Sequence, residues 1–72
     1  MKSCTRVYQI VDGHEVTIRL VKDFIYHFPI GENITIFNFK SKELMHVEVL
    51  SIEDTYSDSI FWRNMLVQER VQ

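Results

Sequence analysis

The sequence predicts an α+β fold: a small antiparallel sheet or partly closed barrel of four or five strands, followed by one C-terminal amphipathic helix. Three observations predict it. Asp12-Gly13 sits between two runs rich in β-branched and aromatic residues. Alternating runs then recur as far as Ile52. Beyond them Thr55-Tyr56-Ser57-Asp58 reads as a capping box that opens a helix over residues 56–70.

The first hairpin joins Thr5–Val11 to Glu15–Leu20. A two-residue loop sets Arg6 opposite Arg19, which is unfavourable. A three-residue loop, Asp12-Gly13-His14, gathers Tyr8 and Ile10 on the face of Val16, Ile18 and Leu20, and is the expected register. A third run, 23–28, alternates Phe24, Tyr26 and Phe28 against Ile25 and His27. Pro29 removes a ladder donor and Gly31-Glu32-Asn33 turns the chain. Residues 34–39 carry apolar groups on both faces, which predicts a central strand. Residues 44–52 form the last strand, with Met45, Val47 and Val49 opposed to His46, Glu48 and Leu50.

On a helical wheel, residues 56–70 show two apolar arcs. Phe61, Trp62, Met65 and Leu66 form one; Ile60, Val67 and Val71 form the other, on nearly the opposite side. A helix lying on its own sheet needs a single stripe. The second stripe predicts either a sheet that curls around the helix or a few exposed valines, or else burial against a second copy or a partner protein. The whole is an α+β roll, or an SH3-like or OB-like barrel capped by a helix.

Seventy-two residues form one domain, residues 1–72, with a marginal core. Domains of this size use disulfides, a metal or a partner chain for support. The single cysteine, Cys4, rules out an internal disulfide, which again points to assembly. No apolar stretch is long enough to span a membrane, no signal peptide precedes the first strand, and the lone cysteine suits the cytoplasm.

The residues that could carry chemistry are few. Cys4 has no base beside it in sequence, and no serine has a nucleophile-elbow setting. His14, His27 and His46 fall on separate elements, and His27, His46 and Glu48 make only a conceivable histidine-based metal site. The two glycines lie far apart and neither opens a helix, which excludes a phosphate cradle. Glu53 and Asp54 are neighbours on a strand and point to opposite faces, a poor arrangement for acid–base work.

Two surfaces remain. Glu43, Glu48, Glu53, Asp54 and Asp58 give residues 43–58 a charge of −5, against +2 for residues 1–42. Tyr26, Phe37, Phe39, Lys40 and Lys42 could form a stacking platform for bases or another small ligand, although few cations lie near it. The expectation is a non-enzymatic interaction protein without a cofactor: a regulator or inhibitor of the kind phages and mobile elements carry. It would form a homodimer or larger assembly and bind a protein target through Ile60, Trp62, Val67 and Val71. A nucleic-acid or small-ligand binding module on a small barrel is the alternative.

Overall fold

The computed structural model describes residues 2–71, and they are all β. Five strands run β1 (Lys2–Val11), β2 (His14–Lys22), β3 (Asn33–Asn38), β4 (Glu43–Ser57) and β5 (Ile60–Glu69). They form one sheet in the order β2-β1-β5-β4-β3, curled into a half-barrel. Every neighbouring pair is antiparallel except β1 and β5, which run parallel.

The expected C-terminal helix is absent, and the α+β class is corrected to all-β. Residues 60–69 are a strand at the centre of the sheet, between β1 and β4. The strand redistributes both arcs of the helical wheel: Phe61 and Met65 part from Trp62 and Leu66, and Val67 parts from Ile60. Phe61, Arg63, Met65 and Val67 share the core side, while Ile60, Trp62, Asn64 and Leu66 share the other. A strand covered on both edges and apolar on both faces reads as two-sided whichever period is imposed on it. The capping-box residues are instead the end of β4, and Asp58 and Ser59 make the hairpin turn, at φ 53° and 63°.

The first hairpin combines both registers considered from sequence. Val11 pairs with His14, so the turn has two residues, with Asp12 at φ 51° and Gly13 at φ 79°. Two positive φ values mark a type I′ turn, whose twist matches the flanking strands. The register then shifts. Tyr8 pairs with Thr17 but Val7 pairs with Arg19, so Ile18 is an extra residue in β2. This bulge sets Arg6 opposite Leu20 rather than Arg19. Arg6 Nε donates to Thr17 Oγ1 at 2.7 Å, and the guanidinium lies 4.4 Å from the Tyr8 ring centroid. The three-residue loop is therefore corrected. Tyr8 and Ile10 stand with Arg6 on the convex face, and Val7 takes their expected place in the core.

The bulge also curls the sheet. The Phe39 N–H donates to the Ile18 carbonyl at 2.8 Å, which ties the edge strand β2 to the turn after β3. The 15 residues of β4 would span roughly 46 Å if straight, yet the molecule's long axis is 39 Å. The strand bends, and its register shift lies between Val49 and Ser51.

Residues 23–28 are not a ladder strand, which corrects the third run. They cross the open concave side as a strap. Thr5, fully buried, donates through Oγ1 to the Phe24 carbonyl at 2.7 Å and accepts from the Tyr26 N–H at 3.0 Å. Arg63 donates to the Tyr26 carbonyl at 3.0 Å. Tyr26 and Phe28 then pack against a core of Val7, Ile18, Ile36, Met45, Val47, Val49, Met65 and Val67. Two aromatics of an alternating run can thus cover a sheet without joining it. The expected central strand, β3, is an edge strand that pairs only with β4. Its outward Phe37 is exposed and its apolar inner side meets the core.

Candidate interaction edge and surface hollows

The β4–β5 hairpin outruns the rest of the sheet on one side. β3 pairs with β4 only as far as Glu48, and the turn between the strap and β3 adds Gly31 and Glu32 against Val49. From Ser51 to Ser57, β4 pairs with β5 alone. In a two-residue hairpin the closing pair, here Ser57 and Ile60, is of the hydrogen-bonded kind, and the kinds alternate along the ladder. Thr55 and Glu53 therefore bond to β5, whereas Tyr56, Asp54 and Ile52 turn their N–H and C=O groups away from it. Further along, Val49 turns its backbone groups to Gly31 and Glu32, and Arg70 N–H bonds to the His46 carbonyl, as the alternation resumes beyond the bulge. Among the described residues, none of Ile52, Asp54 and Tyr56 makes a backbone bond outside the hairpin.

The charges along this edge are not uniform. Asp54 receives both Nε and Nη2 of Arg63 at 2.9 Å, and this hydrogen bond holds its carboxyl below the usual carboxylate range. The same bond raises the Arg63 guanidinium. Glu48 is paired with Arg70 at 2.8 Å. Glu43, Glu53 and Asp58 have no ion-pair partner among the described residues. The five carboxylates do not form one face. Glu48 and Glu53 stand on the convex side, Glu43 and Asp54 lie on the concave side with Met45 and Ile52, and Asp58 lies in the turn.

The other sequence candidates are dispersed. Ile60 and Trp62 are half-buried on the convex face of β5, Val67 is 1% exposed in the core, and Val71 follows β5 at 93% exposure. Val67 thus contributes packing, and an acidic residue there would unfold the chain before it could report on an interface. Of the proposed platform, Tyr26 lies in the strap over the core and Phe37 on the outside of β3. Half-buried Phe39 with Lys40 and Lys42 occupies the turn that follows. His27 is in the strap, and His46 shares a 2.9 Å hydrogen bond with Thr35. No three histidine, cysteine or acidic side chains come together among the described residues.

Hollows mark the surface of the described residues. One of about 340 Å³ lies between β3, His46 and Arg70. A second, of about 530 Å³, runs past Ile10, Leu50, Leu66 and Val71. A third, of about 280 Å³, is lined by Lys2, Cys4, Lys22, Asp23, Ile60 and Trp62. Sequence reasoning missed both the open edge and the third hollow. Each depends on β5 lying beside β1 and β4, which no local pattern signals. No helix long and apolar enough to cross a membrane is present among the described residues. The chain matches no protein-family model, no curated protein and no solved structure.

Proposed function

We propose that this chain is a non-enzymatic interaction module that captures an extended, basic segment of a partner protein by adding it as a strand to β4. The observation that carries this reading is the unpaired backbone edge at Ile52, Asp54 and Tyr56. Strand addition draws its affinity from such main-chain groups and its selectivity from alternate side chains. Here the flanking side chains are Glu53 and Asp58, neither of them ion-paired within the described chain, and Tyr56, 62% exposed. Exposed edges are normally blunted by lysine, proline or a bulge. Residues 51–57 contain no lysine and no proline, and the bulge of β4 lies at their start, between Val49 and Ser51, so the edge beyond it stays open. A second copy fits this edge less well than a cationic segment, because antiparallel self-pairing brings the same carboxylates together. Occupying a partner's segment in this way is how a small regulator or inhibitor acts.

The test uses a synthetic octapeptide of alternating lysine and valine, titrated while backbone amide shifts are followed. Shifts concentrated on 51–58, absent with a glutamate–valine peptide and weakened by salt, are expected. A proline is tolerated where the N–H faces away from the ladder, so Tyr56→Pro should fold yet bind about two- to tenfold more weakly, while Tyr56→Val should not. Equal binding by both variants, or shifts scattered over the sheet, would refute strand addition. A salt-sensitive dimer without peptide would make a second copy the occupant instead.

A further inference from the structure

The third hollow lies on the convex face, on the far side of β1 and β5 from the strap. Its floor follows from the pairing register. Lys22 pairs with Cys4, and Cys4 with Trp62, so one row crosses three strands in the order Lys22, Cys4, Trp62. Lys2 pairs with Ile60 two residues back along the same face. The row begins with an ammonium group and ends, about two strand spacings or roughly 10 Å away, at an indole. Lys2 supplies a second ammonium and Asp23 the one carboxylate, so the rim carries a net positive charge. Neither lysine is ion-paired among the described residues. This contrasts with the acidic hairpin edge and sets a cationic site in a chain of net charge −2.

We infer that this hollow is a binding site for a small planar aromatic anion, with the ring against Trp62 and Ile60 and the anionic group between Lys2 and Lys22. Its volume, about 280 Å³, lies just below the usual range for small-molecule sites, which limits it to one ring system with one charged substituent. The indole offers a flat apolar surface, and base or aryl rings stack on such surfaces with little regard to their substituents. The ammonium groups make the preference for an anion, since an uncharged ring gains nothing from them. The Asp23 carboxylate accepts from a ring N–H or amino group and disfavours a second negative charge close to it. A nucleoside monophosphate has this chemistry, either free or as one unit of a single strand. The inference does not depend on strand addition at β4, and the two sites share no residue.

Trp62 is the sole tryptophan, so its fluorescence reports on the hollow directly. The experiment titrates the full chain with adenosine 5′-monophosphate, with adenosine, and with a short single-stranded oligonucleotide. Saturable quenching by the monophosphate is expected, with adenosine binding more weakly. Lys22→Gln and Lys2→Gln should each weaken the monophosphate by about two- to fivefold and leave adenosine unchanged. Both lysines are exposed, so these variants should keep the fold. The monophosphate should also protect Cys4 from alkylation by uncharged iodoacetamide, a readout independent of fluorescence. An oligonucleotide that binds far more tightly than the monophosphate would assign the anion to a polymer; equal or weaker binding would assign it to a free small molecule. Absence of quenching and protection at millimolar monophosphate would overturn the site, as would equal affinities for adenosine and its monophosphate.

Discussion

The β1–β2 and β4–β5 hairpins turn in the same way and end in opposite circumstances. Both reverse through two residues with positive φ, Asp12-Gly13 and Asp58-Ser59, and both carry a register shift partway along. In the first, the shift exposes the Ile18 carbonyl, which Phe39 then occupies, and the root is fastened where Asp23 N–H bonds to Ser3. In the second, the shift at Val49–Ser51 is where β4's partner on the β3 side runs out, and the hairpin continues with one edge open. Turn chemistry decides that a hairpin forms. What lies alongside decides whether its edge becomes part of the fold or remains available.

The largest test of this contrast loosens the strap that continues from the first hairpin and is held on β1. Thr5→Val keeps the shape of the side chain but strands the Tyr26 N–H and the Phe24 carbonyl, both bonded to Thr5 Oγ1. A loss of about 1–3 kcal/mol is expected in urea denaturation. Hydrogen exchange should quicken in the strap and leave the β4–β5 ladder protected. Uniform loosening of both hairpins would mean that they do not differ in how they are held.

A smaller effect comes from exchanging the turn residues. Gly13→Ser puts a side chain at φ 79°, where a Cβ meets nothing within 4 Å, so only conformational strain is added. The expected cost is about 1 kcal/mol. Ser59→Gly relieves the same strain at φ 63° and should stabilise by a similar or lesser amount. If the Ser59 variant lost stability in thermal melts, the second turn would be held by something other than its φ values.

The smallest effect concerns charge. The folded pKa of Asp54 lies below its unfolded value because Arg63 bonds to the carboxylate. The stabilisation is therefore complete above the ordinary aspartate pKa of about 3.9 and is lost as pH falls through the lower folded value. Both side chains are partly exposed, so Asp54→Asn should cost less than about 1 kcal/mol at neutral pH. The variant should also lose less stability than the parent between about pH 4 and 2, read from urea midpoints. An unchanged acid limb would remove this pair from the account of the hairpin.

Much of the fold was legible, and the pattern of failures is specific. Asp12-Gly13 announced its hairpin because glycine accepts positive φ without penalty. Asp58-Ser59 makes the same turn with weaker local chemistry, and Thr55 three residues before Asp58 imitates a helix cap. Residues 23–28 alternate as a strand does, yet Thr5 and Arg63 take up the backbone groups that a ladder would have used. The acidic stretch was visible as a charge run. Its division, among the described residues, into paired Glu48 and Asp54 and unpaired Glu53 and Asp58 was not, because Arg63 and Arg70 reach it only after β5 folds back.

By itself the sequence determined a β-rich fold, the first hairpin and the shared face of Met45, Val47 and Val49, because these follow from a two-residue period and from turn chemistry that acts over a few residues. Only the tertiary structure decided that residues 60–69 extend rather than coil. Their ladder partners include β1, nearly the whole chain away in sequence, and pairing across both edges outweighs the local preference for a capped helix. The open edge and the Trp62 hollow arise from that one choice, so both depend on contacts that no local window of the sequence contains.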